Sequence, residues 1–211
     1  MKHAPGLPAP RRRFVHFLAA AFAVIAVPAQ LALAQNPPAE RPREALVKAA
    51  FLHKFFSFVE WPEGTFPRPD TPVRIGVVGD DEILQDLLEL SRDRSRDGRP
   101  VTPVRIQPGE SLAGFHILYV KAASAVRMSE QLAGVPEGVL TVADAESAHP
   151  KGSVMSFFLE EGRVRFGVSL EAAARQKLRL SSRLLSVARK IQGSVDTIER
   201  LAGPVRPPPA A

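Results

Sequence analysis

Gly76-x-x-Gly79-Asp80-Asp81 follows an apolar run and precedes a helical pattern, the place where a nucleotide-binding loop would sit. It lacks the third glycine of a dinucleotide fingerprint and the Lys-Ser/Thr of a P-loop. Two aspartates at its mouth would repel phosphate. The plain reading is a tight turn with Asp80 capping the next helix; the other is a ligand loop made by Gly79, Asp80 and Asp81. His53, His116 and His149 stand 63 and 33 residues apart, far from the short spacings of a zinc site. Packing roles are therefore expected for them, and no metal or cofactor. Ser169, His149 and Asp144 can be assembled on paper into a hydrolytic triad, but no Gly-x-Ser-x-Gly elbow presents a serine. Glu160, Glu161, Arg163 and Arg165 surround a turn, the pattern of a solvated strand edge that resists sheet-to-sheet pairing. No catalytic residue is assigned.

The elements that would position these groups alternate along the chain. Glu44 to Glu60 reads as a helix with Val47, Phe51, Phe55 and Phe58 on one stripe, closed by Pro62. Phe51, Phe55 and Phe58 belong to the core on this pattern. Phe56 lies on another side; a core or near-core place is still favoured for it, and the alternative makes Phe56 and Trp61 the candidates for an exposed apolar partner surface. Val73 to Val78 has the pattern of a strand buried on both faces, and a helix follows from Glu82 to Ser91. Arg92 to Arg99 reads as a charged loop. Val101 to Ile106 is a strand whose Pro103 argues for an edge. His116 to Val120 and Val139 to Val142 are further strands, with a helix at Ala125 to Ala133 between them. Val154 to Leu159 and Val164 to Val168 fit a hairpin. Leu170 to Gln176 and Ser182 to Gln192 read as closing helices. The rhythm predicts an α/β, Rossmann-like three-layer sandwich. Its sheet is mostly parallel and ends in an antiparallel hairpin, with helices on both faces.

The first 34 residues have the parts of a secretory signal: Lys2 and Arg11 to Arg13, the apolar run Phe14 to Val27, and Ala32-Leu33-Ala34 before Gln35. Cleavage is expected between Ala34 and Gln35. The apolar run is short for a transmembrane helix, which needs roughly 20 residues. The alternative of a retained anchor is thereby disfavoured. The general secretory route is favoured, because the flanks of Arg11 to Phe14 suit a twin-arginine signal poorly. The chain carries 28 basic and 22 acidic residues, a net +6. The signal holds four of the bases and no acid, so the mature chain is +2. No basic block remains to neutralise a run of phosphates, which argues against nucleic acid as a partner. The chain has no cysteine. That excludes thiol catalysis, Cys-ligated metal and disulfides, and leaves an ordinary hydrophobic core to hold the fold. The expected layout is a signal peptide at 1–34, a disordered Pro-rich lead-in at 35–42, one α/β domain at 43–192, and a C-terminal extension with a Pro-rich tail at 193–211.

Several blocks, in this order and spacing, carry a family resemblance. They are Lys48-Ala49-Ala50-Phe51-Leu52, then Phe55, then Phe58-Val59-Glu60-Trp61-Pro62; Ile75 to Asp81; Gly98-Arg99-Pro100-Val101; His116 to Val120; Val139 to Val142; Phe157, Glu160 and Gly162 to Phe166; and Leu180-Ser181-Ser182-x-Leu184-Leu185. Together they resemble the YfiR family of periplasmic proteins over roughly Ala45 to Ile191. The resemblance implies a Rossmann-like fold and a periplasmic, non-catalytic regulator. Such a protein binds the periplasmic sensor region of an inner-membrane signalling enzyme, a diguanylate cyclase or else a sensor kinase, and holds down cyclic-di-GMP output and biofilm formation. The alternative reading is a periplasmic small-molecule sensor or solute-binding protein; a hydrolase is more remote. An aromatic helix and a hairpin edge are available for a homodimer, and nothing selects one. The chain departs from the family pattern at Ser156, where Asn is expected, at Gly167, where Glu is expected, and at Ser169, where Asn is expected. Its lack of cysteine also removes the disulfide-based stability and redox control implied for the family's repressor type.

Overall fold

The computed structural model describes residues 43–193 apart from 93, 94, 97, 98, 108 and 146–148. The expected signal peptide with its Ala34–Gln35 cleavage site, the lead-in and the extension beyond Gly193 lie outside the described residues. In chain order the elements are α1 (Glu44–Phe55), a 3-10 turn (Phe56–Phe58), β1 (Val59–Glu60), β2 (Val73–Val78), α2 (Asp81–Ser91), β3 (Ser95–Arg96), β4 (Arg99–Arg105), β5 (Ile117–Val120), α3 (Ala125–Ala133), β6 (Leu140–Asp144), β7 (Met155–Glu160), β8 (Arg163–Ser169), α4 (Leu170–Arg175), β9 (Arg179–Leu180), α5 (Ser182–Val187) and β10 (Lys190–Gln192).

Eight strands form one sheet in the order β10-β8-β7-β6-β5-β2-β4-β3. The neighbours from β4 through β2, β5 and β6 to β7 all run parallel. β8 turns back against β7, and β10 lies parallel to β8. Numbered as they occur in the chain, the five parallel strands stand in the doubly wound order 2-1-3-4-5. The chain therefore reverses direction across the sheet between β2 and β5, and a crevice opens there at their carboxyl ends.

The unbroken apolar strands split their side chains between two cores, as a period of two requires. Val73, Ile75 and Val77 of β2, Ile117 and Tyr119 of β5, and Leu140 and Val142 of β6 pack with α1, α2, α4 and α5. Val78, Leu118, Val120 and Ala143 pack with Met128 and Leu132 of α3. Helices thus cover both faces, as the three-layer reading requires. Asp80 caps α2 by accepting the Ile83 N–H at 3.1 Å, and Ser124 caps α3 by accepting that of Arg127 at 3.3 Å. The hairpin closes through Glu161 and Gly162, with φ of 51° and 68°, the two positive values a two-residue primed turn demands. No helix among the described residues is long and apolar enough to cross a membrane.

Three segments differ from the pattern reading. The first helix stops at Phe55: the 3-10 turn tightens the chain, and Val59-Glu60 pair with Leu180-Arg179 as a separate two-stranded ribbon. The expected charged loop contains the two-residue β3, antiparallel to the start of β4. The last helix ends at Val187, and Lys190-Ile191-Gln192 extend the sheet beside Gly167-Val168-Ser169 instead of completing a helical stripe. Pro103 sits where expected: β3 reaches only Arg99 and Pro100, so β4 is an edge at Pro103.

Gly79 is the tightest point of the switch. Its φ is +77°, and a Cβ there would overlap the Lys121 carbonyl. Gly79→Ala should therefore cost on the order of 3 kcal/mol of unfolding free energy. Urea unfolding of the purified domain checks this, and a change below about 1 kcal/mol would contradict the close approach.

Candidate functional site

The carboxyl ends of β2, β5 and β6 gather charges from segments far apart in sequence. Asp80 follows β2; one oxygen caps α2, and the other accepts Lys121 Nζ at 2.8 Å and faces the Tyr119 hydroxyl at 3.4 Å. Tyr119, fully buried on β5, donates to Asp144 Oδ2 at 2.7 Å. Asp144, at the end of β6, receives Lys48 Nζ on both oxygens at 2.8 and 2.7 Å. Lys48 sits on α1 with 4% exposure and also reaches Glu44, one helical turn earlier. The result is a continuous polar chain, Lys48–Asp144–Tyr119–Asp80–Lys121, under the switch point.

Its electrostatics are cooperative. Burial alone would raise the Asp80 carboxyl. The hydrogen bond from Lys121, the Ile83 N–H and the Lys121 charge outweigh it and hold the group below the ordinary carboxylate value. The same Asp80 hydrogen bond raises Lys121. Burial, then the charge and hydrogen bond of Asp144, push the Tyr119 phenol far above its usual range. Tyr119 is therefore a fixed donor and not a proton-transfer group near neutral pH. Every carboxylate in the chain is already answered by a cation or a hydroxyl. The free chemistry belongs to Lys121, whose side chain is 53% exposed. It borders a cleft of about 930 Å³ that Lys48, Asp144, Met128 and Phe158 also line. Of the expected loop, Asp80 and Gly79 help build this point; Asp81 instead pairs with Arg105 at the surface.

The expected apolar surface is arranged differently from its helical projection. Phe56 is 8% exposed and belongs to the main core. The 3-10 turn swings its ring onto Trp61, 6.1 Å away, and edge-on to Phe66 at 5.4 Å. Trp61 is only partly buried, and its indole N–H has no hydrogen-bond partner among the described residues. Phe66 stacks on His116 at 4.5 Å, with the Arg99 guanidinium over its ring at 4.5 Å. This cluster lies where β2, β4 and β5 begin, at the opposite end of the sheet from the cleft.

The three histidines stay apart. His53 is buried on α1. His116 accepts the Arg74 N–H at Nδ1, 3.1 Å, and bonds the Thr65 backbone with its other nitrogen. His149 lies 2.7 Å from Ser156 Oγ and 2.8 Å from the Ser153 carbonyl. The paper triad does not form: Ser169 caps α4 and Asp144 holds Lys48. Ser156, the partner of His149, sits on the regular strand β7, unlike the exposed elbow with oxyanion donors that a nucleophile needs. Ser156 and Ser169 nonetheless keep hydrogen-bonding roles at the two positions where Asn is expected. At the hairpin, Glu160 accepts Arg189 at 2.6 Å, while Arg163 lies opposite Glu160 in the ladder. Among the described residues no group of three or more His, Cys, Asp or Glu is placed to hold a metal ion.

Pattern reading missed Lys48, Tyr119, Lys121 and Asp144 as partners. Bonded neighbours in this polar chain lie 25 to 96 residues apart in sequence, and no local spacing marks such a set. The only signal was a lysine on the apolar side of an amphipathic helix.

Residues 45–189 match the family profile described as YfiR/HmsC-like. No curated protein matches the chain.

Two outcomes follow from this geometry. Lys48→Met leaves the Asp144 carboxylate with only the Tyr119 hydroxyl, and should cost about 3 kcal/mol in urea unfolding. The second concerns acid. Burial, with the Arg74 and Arg99 charges, lowers His116 below the ordinary 6.5 against the opposing Thr65 bond. Burial likewise lowers His149 against its Ser153 bond. The unfolded chain then binds more protons than the folded one. Stability is complete above 6.5 and falls as pH drops from there toward the lower folded-state values. The single tryptophan, Trp61, whose ring lies 6.1 Å from His116, should report the change by fluorescence. His116→Gln should flatten that pH dependence; an unchanged titration would assign it elsewhere.

Proposed function

The chain belongs to the YfiR/HmsC-like family, and from that premise we propose that it is a periplasmic regulatory protein acting on a membrane signalling protein. The finer reading is that it binds the periplasmic sensor region of an inner-membrane diguanylate cyclase and holds the cyclase down. The family match over residues 45–189, which takes in every strand of the sheet except β10, is the observation that carries it. The geometry agrees in kind: the buried charges are mutually satisfied, and the chemistry left over is that of surfaces. Binding would act by population shift, favouring the partner conformation with low output.

A second reading rests on the cleft beside Lys121. Open α/β sheets bind ligands at the switch point, and about 930 Å³ is ample for a small molecule. A ligand there would set how strongly the protein engages its partner, so the two readings join.

Deleting the gene is expected to raise cellular cyclic-di-GMP. Supplying the exported chain should restore the low level, and the same chain lacking residues 1–34 should not. Unchanged cyclic-di-GMP in the deletion strain would remove the cyclase from the reading. Restoration by the unexported chain would remove the periplasm.

A further inference from the structure

The charge of this protein is divided along its sequence and therefore across its sheet. Residues 43–162 carry a net −5, whereas residues 163–192 hold eight bases and a single acid, a net +7. That last segment builds β8, α4, β9, α5 and β10, with β10 and β8 outermost at one end of the sheet. Four of its cations are answered by Glu171, Glu137, Glu60 and Glu160. Arg163, Arg165, Arg183 and Lys190 have no ion pair among the described residues.

β10 closes the sheet on this side. Lys190, Ile191 and Gln192 are all exposed, and no described strand lies outside them. Such an edge offers unpaired N–H and C=O groups along one line. Two large apolar side chains stand exposed beside it: Ile191 at 47% and Val187 at 65%. Val187 shares an exposed face of α5 with Arg183, four residues earlier. Natural edges are usually guarded by charge, and this one is guarded by a single sign.

We propose that the β10 edge is a docking strip for an acidic, extended segment of the partner protein, which pairs with β10 as an added strand. Carboxylates on one face of that segment would meet Lys190; on its other face the apolar residues would lie on Ile191 and Val187, with Arg183 in reach of the acids at its ends. Strand addition draws affinity from main-chain hydrogen bonds and specificity from alternate side chains. A second copy of this chain would bring like charge to the same edge. An anionic lipid surface supplies acceptors for the edge N–H groups but no donors for its carbonyls. The identification of the partner rests on the regulator reading; the chemistry of the strip does not.

The probe is a fluorescein-labelled Glu-Val-Glu-Val-Glu-Val-Glu peptide, with its Lys-Val counterpart and anionic phosphatidylglycerol vesicles as comparisons. The mature protein should bind the acidic peptide, with slowed hydrogen exchange at the amides of 190–192. Arg183→Glu with Lys190→Glu, melting like the parent, should weaken binding by about tenfold or more. Arg127→Glu, on α3, should not. Equal binding of the Lys-Val peptide, equal binding by the reversed variant, no slowing at 190–192, or binding to vesicles alone would overturn the strip. In cells the reversed variant should be exported yet fail to lower cyclic-di-GMP. If it lowers cyclic-di-GMP like the parent, the strip is wrong and the regulator reading stands. If the parent itself does not lower it, the regulator reading fails and the peptide still decides the strip.

Discussion

A buried ammonium has to be met by carboxylates, and the position of Lys48 imposes that requirement on the whole carboxyl end of the sheet. Asp144 answers it from the end of β6. Asp144 then accepts the hydrogen bond that a fully buried phenol donates, so Tyr119 is oriented along the carboxyl ends of the strands. Asp80 completes the line, and because its second oxygen caps α2, a helix of the same layer is tied in as well. α1, β6, β5 and the β2–α2 turn are thus fixed by side chains rather than by the ladder alone. The arrangement works only because Gly79 lets the turn lie against the Lys121 carbonyl. Buried ionic groups of this kind add little net stability over apolar ones but penalise every misregistered packing of the helix.

Local chemistry made much of this architecture readable. The cap at Asp80, the bounds of α3, the Glu161-Gly162 turn and the buried character of β2 and β5 all follow from propensity and period. Errors fell where a tertiary partner overrode a local pattern. Val59 and Glu60 continue a helical stripe in sequence, yet they gain more by pairing with Leu180 and Arg179. Ile191 completes a helical face on paper, but the free side of β8 offers Lys190 to Gln192 a ladder. Phe56 is a different case: it projects away from the stripe of an ideal helix, and the 3-10 turn brings it to the core place favoured for it. The polar chain was the least readable feature, since its bonds cross between elements that meet only in the folded sheet.

The same physics separates structural polar groups from available ones. His53, His116 and His149 are each held within the packing, and the serine beside His149 lies in a strand rather than on a strained turn. These groups are spent on the fold. What remains outward-facing differs at each boundary of the sheet: a half-exposed lysine over a cleft at the carboxyl ends, an aromatic cluster around Trp61 at the amino ends, and a basic strand at the β10 side. A binding protein uses surfaces of these kinds.

Without cysteine, control of this domain cannot run through thiol exchange. Three other couplings are built into it, and each acts on a different equilibrium. Protonation at His116 would forfeit the bond from the Arg74 N–H and place a positive charge beside Arg74 and Arg99, so acid works against the segment that carries Trp61 and Phe66. A ligand beside Lys121 would compete with Asp80 for the ammonium and thus touch the cap of α2. Charge at the β10 edge bears on association with other molecules and leaves the core untouched. The three lie at separate borders of one sheet. A perturbation at one need not dismantle the others, and the polar chain under the switch point joins the cleft to the helical layer through Asp80, whose second oxygen caps α2.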